Sequence, residues 1–265
     1  MELFSIASGS SGNCIMVGSD NTKLLVDAGI SAKRIEQGLN ACSLTCSDIS
    51  GILITHEHSD HIKGLGVLAR KYHIPMYATF RTIQSLKSIG SLGEYDFNLY
   101  QSISPDTPFH IGDIQVEANR IWHDAADPVC YHFIQGEKKI SIATDLGNYN
   151  PYLLEKLSGS DLLLVEANHD VRMLEVGPYP YQLKRRILSD HGHLSNELSG
   201  EFILKLLHEQ VKGIILGHLS KENNFPDLAY ESVRLALKEN PYGAEPEDFH
   251  LTVASRDVPS AYFKI

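Results

Sequence analysis

The chain predicts an α/β sandwich, and two patterns carry that expectation. Apolar runs of about four to eight residues, the length of strands rather than helices, recur from one end to the other, and stretches with 3.6-residue apolar periodicity stand between them. No repeat, low-complexity tract or Pro/Gly/Ser-rich linker interrupts the alternation, so residues 1–265 are expected to form one domain. With 43% apolar residues there is enough to bury a sizeable core.

The expected strands, in order, are Leu3 to Ala7, Cys14 to Val17, Lys23 to Val26, Ile52 to Thr55, Met76 to Ala78, Ile114 to Ile121, Tyr131 to Gln135, Lys139 to Ala143, Leu162 to Val165, Ile214 to Leu216 and Leu251 to Ala254. Helical patterns fall near 32–41, 62–72, 81–89, 151–157, 195–209 and 227–239, with Ser195 and Asp227 placed as N-caps. The segment Ala7-Ser8-Gly9-Ser10-Ser11-Gly12-Asn13 lies between the first two strands. It lacks the Gly-Lys-Ser/Thr of a phosphate loop and leads into a strand instead of a helix. A tight hairpin with glycines at positive φ is therefore expected, its backbone N–H groups left as candidates to line a site.

No run approaches the roughly 18 apolar residues of a membrane span, and the opening Met-Glu-Leu-Phe has no basic signal region, so a cytoplasmic protein without membrane contact is expected. Cys14, Cys42, Cys46 and Cys130 make neither a Cys-x-x-Cys pair nor a disulfide framework, which suits a reducing compartment. A formal charge of -10 weighs against gripping nucleic acid by bulk electrostatics. Lys184-Arg185-Arg186 is the local exception and reads equally well as a solvated helix face.

Residues 55 to 61 read Thr-His-Glu-His-Ser-Asp-His, directly after the apolar Gly51-Ile52-Leu53-Ile54. Alternate side chains of an extended segment point the same way, so His56 and His58 can close on one cation while Asp60 and His61, past the bend, face a second. Imidazole and carboxylate donors suit zinc, with manganese and iron as competitors, and the absence of Cys here argues for a catalytic site over a closed structural one. The helical protease pattern His-Glu-x-x-His is excluded, because it needs His where the chain has Asp60. Further ligands should follow other strands: His123, Asp145 and His218 each come just after an apolar run, where α/β folds gather active-site groups.

The motif His56-x-His58-x-Asp60-His61, followed in order by His123, Asp145 and His218, resembles the signature of the metallo-β-lactamase superfamily. Five further segments resemble its YycJ/VicX group and extend the resemblance over the whole chain: Ser8 to Cys14, Leu24 to Gly29, His123 to Val129, Glu166 to Asp170 and His191 to Glu197. The resemblance implies a four-layer αββα sandwich with two divalent metal ions. His56, His58 and His123 would hold one ion, Asp60, His61 and His218 the other, and Asp145 would bridge. Because the group is similar to tRNase Z and to DNA-processing nucleases, it also implies phosphodiester chemistry on nucleic acid, DNA before RNA. Glu166 and His193 resemble a Glu and a proton-donating His of tRNase Z, although Asn168-His169 replaces Thr-Phe there.

In the expected reaction two cations about 3.5–4 Å apart lower the pKa of a bridging water, Asp60 orients it, His193 protonates the leaving alkoxide, and Glu166 orients His193. Asp27 and Asp124 are expected to accept from ligand imidazoles. A small phosphodiester substrate, a thiolester on the same fold, or a non-catalytic metal-stabilised binding module are the rival readings. His73, His110, His132, His208 and His250 are expected to be surface or packing residues, and His169 and His191 are given no role.

Overall fold

The computed structural model describes residues 1–265. In chain order its strands are β1 (Glu2–Ala7), β2 (Cys14–Gly18), β3 (Lys23–Val26), β4 (Ile49–Leu53), β5 (Met76–Thr79), β6 (Tyr100–Ile103), β7 (Phe109–Ile111), β8 (Ile114–Arg120), β9 (Val129–Gln135), β10 (Lys138–Ala143), β11 (Leu162–Glu166), β12 (Gly213–Gly217), β13 (Leu251–Val253) and β14 (Ser260–Lys264). The helices are α1 (Ala32–Ala41), α2 (Ser59–Ile62), α3 (Leu65–Tyr72), α4 (Phe80–Lys87), α5 (Pro151–Leu157), α6 (Val171–Val176), α7 (Tyr181–Ile187), α8 (Asn196–Leu206) and α9 (Pro226–Leu237).

Two seven-stranded sheets form, ordered β14-β1-β2-β3-β4-β5-β6 and β13-β12-β11-β10-β9-β8-β7. Successive side chains of a strand face opposite ways, and this alternation sorts the apolar residues into three cores. Leu3, Ile15, Val17, Leu24, Val26 and Leu53 of the first sheet meet Val116, Tyr131, Phe133, Ile142 and Leu164 of the second in the central layer. Their neighbours Phe4, Met16, Leu25 and Ile52 turn outward onto Ile35, Leu39, Leu68 and Ile83 of α1, α3 and α4. Leu163, Val165, Ile214 and Leu216 likewise meet Leu153, Phe202, Ile203 and Val233 of α5, α8 and α9. The result is the expected αββα sandwich, and strands buried on both faces explain the near-continuous apolar runs.

Three strands escaped the sequence reading: β6, β7 and β14. β6 and β14 are the two edges of the first sheet and β7 is an edge of the second. Edge strands lie partly in solvent, so their apolar signal is diluted, as in Tyr100–Ile103, where Gln101 and Ser102 are exposed. The helix expected over 62–72 begins instead as the single turn α2, then restarts at Gly64, where a Cβ would lie 2.4 Å from the Ile30 carbonyl oxygen. Ser195 caps α8 as expected, its side chain accepting from the Leu198 N–H. Asp227 is not a cap: Phe225 holds that position, Pro226 takes the first turn, and Asp227 follows inside the helix. The β1–β2 hairpin forms, but only Gly12 of its glycines takes positive φ (157°).

Candidate metal centre

Strands β3, β4, β8, β10, β11 and β12 run toward one edge of the sandwich, set by the parallel β3–β4, β10–β11 and β11–β12 pairs and by two antiparallel steps from β8 to β10. The residues at their ends converge: Asp27, the segment Thr55 to His61, His123, Asp145, Glu166 and His218. Asp27 (φ 61°), Asp145 (φ 61°) and His218 (φ 55°) are left-handed. Such backbone costs on the order of 1–3 kcal/mol for a residue with a Cβ and persists where surrounding structure demands it, often at functional sites. Here the turn accompanies the delivery of each side chain to the shared cluster.

Within it, His56, His58 and His123 form one group of donor atoms, Asp60, His61 and His218 a second, and His56, His61 and Asp145 a third. His58 Nδ1 and His123 Nε2 are 3.2 Å apart, and His61 Nε2 lies 3.5 Å from Asp60 Oδ2 and 3.2 Å from Asp145 Oδ2. His218 Nε2 is 3.4 Å from Asp60 Oδ2, and Asp145 Oδ1 is 3.6 Å from His123 Nε2. Tetrahedral zinc with bonds of about 2.0–2.1 Å holds its ligand atoms about 3.4 Å apart, so these separations fit divalent cations. His56 Nε2 and Asp145 Oδ2 are buried with no hydrogen-bond partner in the protein, which a cation would satisfy. The fourth group, Asp145, Glu166, His193 and His218, brings the two remaining sequence candidates against this cluster.

The opposite face of each ring is held by the protein, which fixes which nitrogen looks inward. His61 Nδ1 donates to Asp27 Oδ2 at 2.7 Å, His218 Nδ1 donates to Glu166 Oε2 at 3.2 Å, and His123 Nδ1 donates to the Gly192 carbonyl at 3.1 Å. His56 Nδ1 pairs with the Thr55 hydroxyl at 2.9 Å, and Thr55 is tied in turn to Asp27. Asp27 thus has its expected place, while Asp124 does not. It pairs with Arg186 and lies 3.5 Å from His123 Nε2, the nitrogen that faces the cluster.

Glu166 is fully buried and joins three segments. Its Oε1 accepts from the Leu146 N–H (2.7 Å) and the Leu194 N–H (2.9 Å), and its Oε2 accepts from His193 Nδ1 as well as His218, both at 3.2 Å. Burial alone would raise its carboxyl, yet His193 and His218 hold it at about 2. Burial works against His218 too, but Asp145, Asp60 and Glu166 lift it to about 10. The same balance holds Asp145 and Asp60 below the usual carboxylate range and His61 above the usual imidazole range. His56, without a bonded carboxylate, is pushed down by burial and by the neighbouring rings.

Some expectations fail here. Four of the hairpin amides are spent within the protein: Ser10 N–H donates to Leu219 O, Gly12 N–H to Gly9 O, Asn13 N–H to Asp60 O and Gly9 N–H to Asn13 Oδ1. The loop instead braces the backbone of Asp60. His191 is exposed, and His169 is buried with both ring nitrogens unpartnered, its pKa lowered to about 4 by burial. Of the basic step, Lys184 donates to the Glu175 carbonyl and Arg186 binds Asp124. Thr55, Asn13 and Asn168 were missed by the sequence reading. Asn13 Nδ2 lies 3.3 Å from His61 Nε2, and Asn168 Nδ2 donates to the His218 carbonyl. Adjacency to His56 was the signal for Thr55, whereas Asn13 and Asn168 lie in segments that carry the family resemblance, which gave them no role.

Residues 22–216 match the family described as Beta-lactamase superfamily domain. The chain is 43% identical over 238 residues to the Bacillus anthracis exodeoxyribonuclease YycJ, covering 90% of this chain and 89% of that one. It is 44% identical over 225 residues to the Streptococcus pneumoniae exodeoxyribonuclease WalJ, covering 85% and 84%. The fold resembles that of human tRNase Z, short form, with a TM-score of 0.67 at 17% identity over 98% of this chain and 99% of that one. Strands, ligand-type clusters and sequence similarity agree: the chain belongs to the metallo-β-lactamase superfamily.

Proposed function

We propose that residues 1–265 form one catalytic unit, a binuclear metal-dependent phosphodiesterase that acts as an exonuclease on DNA in preference to RNA. The observation that carries this reading is the His193–Glu166 pair, a proton donor and its carboxylate lying 3.2 Å apart beside the metal-type cluster. A hydrolase of activated esters has no need of such a donor, whereas a departing alkoxide does. The names of the two bacterial relatives matched over most of their length support DNA as substrate. The four cysteines are all free, in keeping with a cytoplasmic location.

In this reading His56, His58 and His123 hold one cation, Asp60, His61 and His218 the other, and Asp145 contributes to both, with zinc the first choice and manganese or iron alternatives. Bound there, divalent cations supply Lewis-acid polarisation of the phosphoryl oxygen and a lowered pKa for water. Asp60 has the most exposed carboxylate of the set (24%), and it accepts a hydrogen bond from the incoming water, orienting it so that a lone pair turns to phosphorus. His193 donates through Nδ1 to Glu166, which leaves Nε2 to protonate the leaving oxygen. Its side chain is only 16% exposed, enough to reach substrate and little enough to exclude bulk water.

End-labelled single- and double-stranded DNA and RNA, offered with zinc, manganese or magnesium and again after chelation, test the activity. His193→Ala should keep both metals and lose roughly 10²- to 10⁴-fold in turnover of DNA, with far less loss on bis(p-nitrophenyl) phosphate, because nitrophenolate leaves unprotonated. Activity that survives exhaustive chelation, or equal losses on the two substrates, refutes this reading. A small phosphodiester is the second reading, favoured by the chain's charge of -10, and a cyclic phosphate in the same panel distinguishes it.

A further inference from the structure

A cavity of about 550 Å³ opens directly beside Asp60, and the reaction assigned above leaves it without a use. Its volume falls in the range that encloses a small ligand, about 300–1,000 Å³, and so suits one nucleotide and not a stacked run. Ser10, Ser11, Ser59 and Ser91 line it, together with Lys63. All five residues are exposed, and none of these side chains makes a hydrogen bond or ion pair within the protein.

The rest of the wall has a different character. Ile62, Ile89 and Leu92 supply an apolar surface, and Glu57 contributes a carboxylate whose Oε1 accepts from the Ala126 N–H while Oε2 is buried without a partner. A phosphate answers the ammonium and hydroxyl donors, a base answers the apolar wall, and a sugar hydroxyl or exocyclic amine answers the carboxylate of Glu57. No simpler ligand uses all three. An inorganic anion leaves the apolar wall bare and meets Glu57 with like charge, and an apolar ligand strands the ammonium.

We propose that this cavity is the subsite that seats the terminal nucleotide of the strand, adjoining the phosphodiester to be cut at Asp60. The inference rests on the nuclease reading of the same site. One lysine serves one phosphate, so the subsite grips a strand end and adds little to binding along its length, which an acidic chain disfavours in any case. A strand seated this way is released one nucleotide at a time.

Calorimetry on the zinc-loaded protein with thymidine 5′-monophosphate, thymidine and inorganic phosphate tests the subsite without requiring turnover. The mononucleotide should bind at least tenfold more tightly than either fragment. Lys63→Glu should weaken mononucleotide binding tenfold or more, whereas Lys212→Glu, the same charge change just before β12 and at the far end of that strand from His218, should weaken it less than twofold. A single-stranded oligonucleotide should displace the mononucleotide competitively. Mononucleotide binding no tighter than that of phosphate, or equal losses in the two variants, overturns the subsite. Failure of the oligonucleotide to compete overturns its assignment to a strand end. If the parent protein cuts no nucleic acid yet binds the mononucleotide with this Lys63 dependence, the nuclease reading falls and the nucleotide pocket stands.

Discussion

Glu166→Gln isolates charge from shape at the centre of the site. The glutamine carbonyl can occupy the Oε1 position and go on accepting from the Leu146 and Leu194 N–H groups, so the three segments stay joined. Its amide nitrogen then faces Nδ1 of both His193 and His218, and it is accommodated only if both rings carry their proton on Nε2. His193 loses the carboxylate that accepts from its Nδ1, and His218 offers a cation an N–H in place of a lone pair. The size follows from Glu166 itself, which stands at about 2 against an ordinary 4.5. At 1.36 kcal/mol for each tenfold that net displacement is about 3 kcal/mol, and because burial raises this carboxyl, the two rings together stabilise its anion by at least that much. Turnover of DNA at saturating metal should fall by roughly 10- to 100-fold, and the metal concentration for half-maximal loading should rise about tenfold. Turnover of bis(p-nitrophenyl) phosphate at saturating metal should change by less than about threefold, since its leaving group needs no proton. Unchanged metal affinity together with equal effects on the two substrates would show that Glu166 serves only to join backbone segments.

Two further outcomes follow from packing and burial. Gly29→Ala puts a Cβ 1.6 Å from the Asp60 carbonyl oxygen and 2.7 Å from the Asn13 nitrogen, so the backbone carrying Asp60 and His61 must move by more than 1 Å. Misplacement of that size should cost about 10²-fold in turnover and weaken one of two cations, while Gly90→Ala, which meets nothing within 4 Å, should match the parent; full metal content and turnover in Gly29→Ala would contradict the bracing role of the loop. His132, buried on β9 with Nδ1 unpartnered, is lowered to about 4, mainly by burial and then by Lys139. The unfolded chain therefore binds a proton there between pH 6.5 and 4 that the folded one refuses, so stability present above pH 6.5 is lost as pH falls through that window, by up to about 3 kcal/mol. His132→Leu should lack this part of the loss in urea unfolding at pH 7 and pH 4, and parallel pH profiles for the two proteins would refute it.

The layered fold and the cluster of ligand-type residues were legible in the chain because their causes are local. Strands buried on both faces must be apolar throughout, so β1, β3, β10, β11 and β12 announce themselves, and Thr55 to His61 concentrates four donors within six positions. Edge strands such as β7 were not legible, because half-solvated backbone leaves no apolar pattern, and neither were α6 and α7, whose buried residues are Leu174 and Ile187 alone. What only the tertiary structure decided is which atoms meet. His61 finds Asp27 across 34 positions, His193 finds Glu166 across 27, and His218 finds Asp60 across 158. Hydrogen-bond partners at such separations depend on strand order and register, which no local pattern encodes. The left-handed turns at Asp27, Asp145 and His218 belong to the same class: unfavourable in isolation for a side chain with a Cβ, they exist because two packed sheets hold the residues at the ends of their strands.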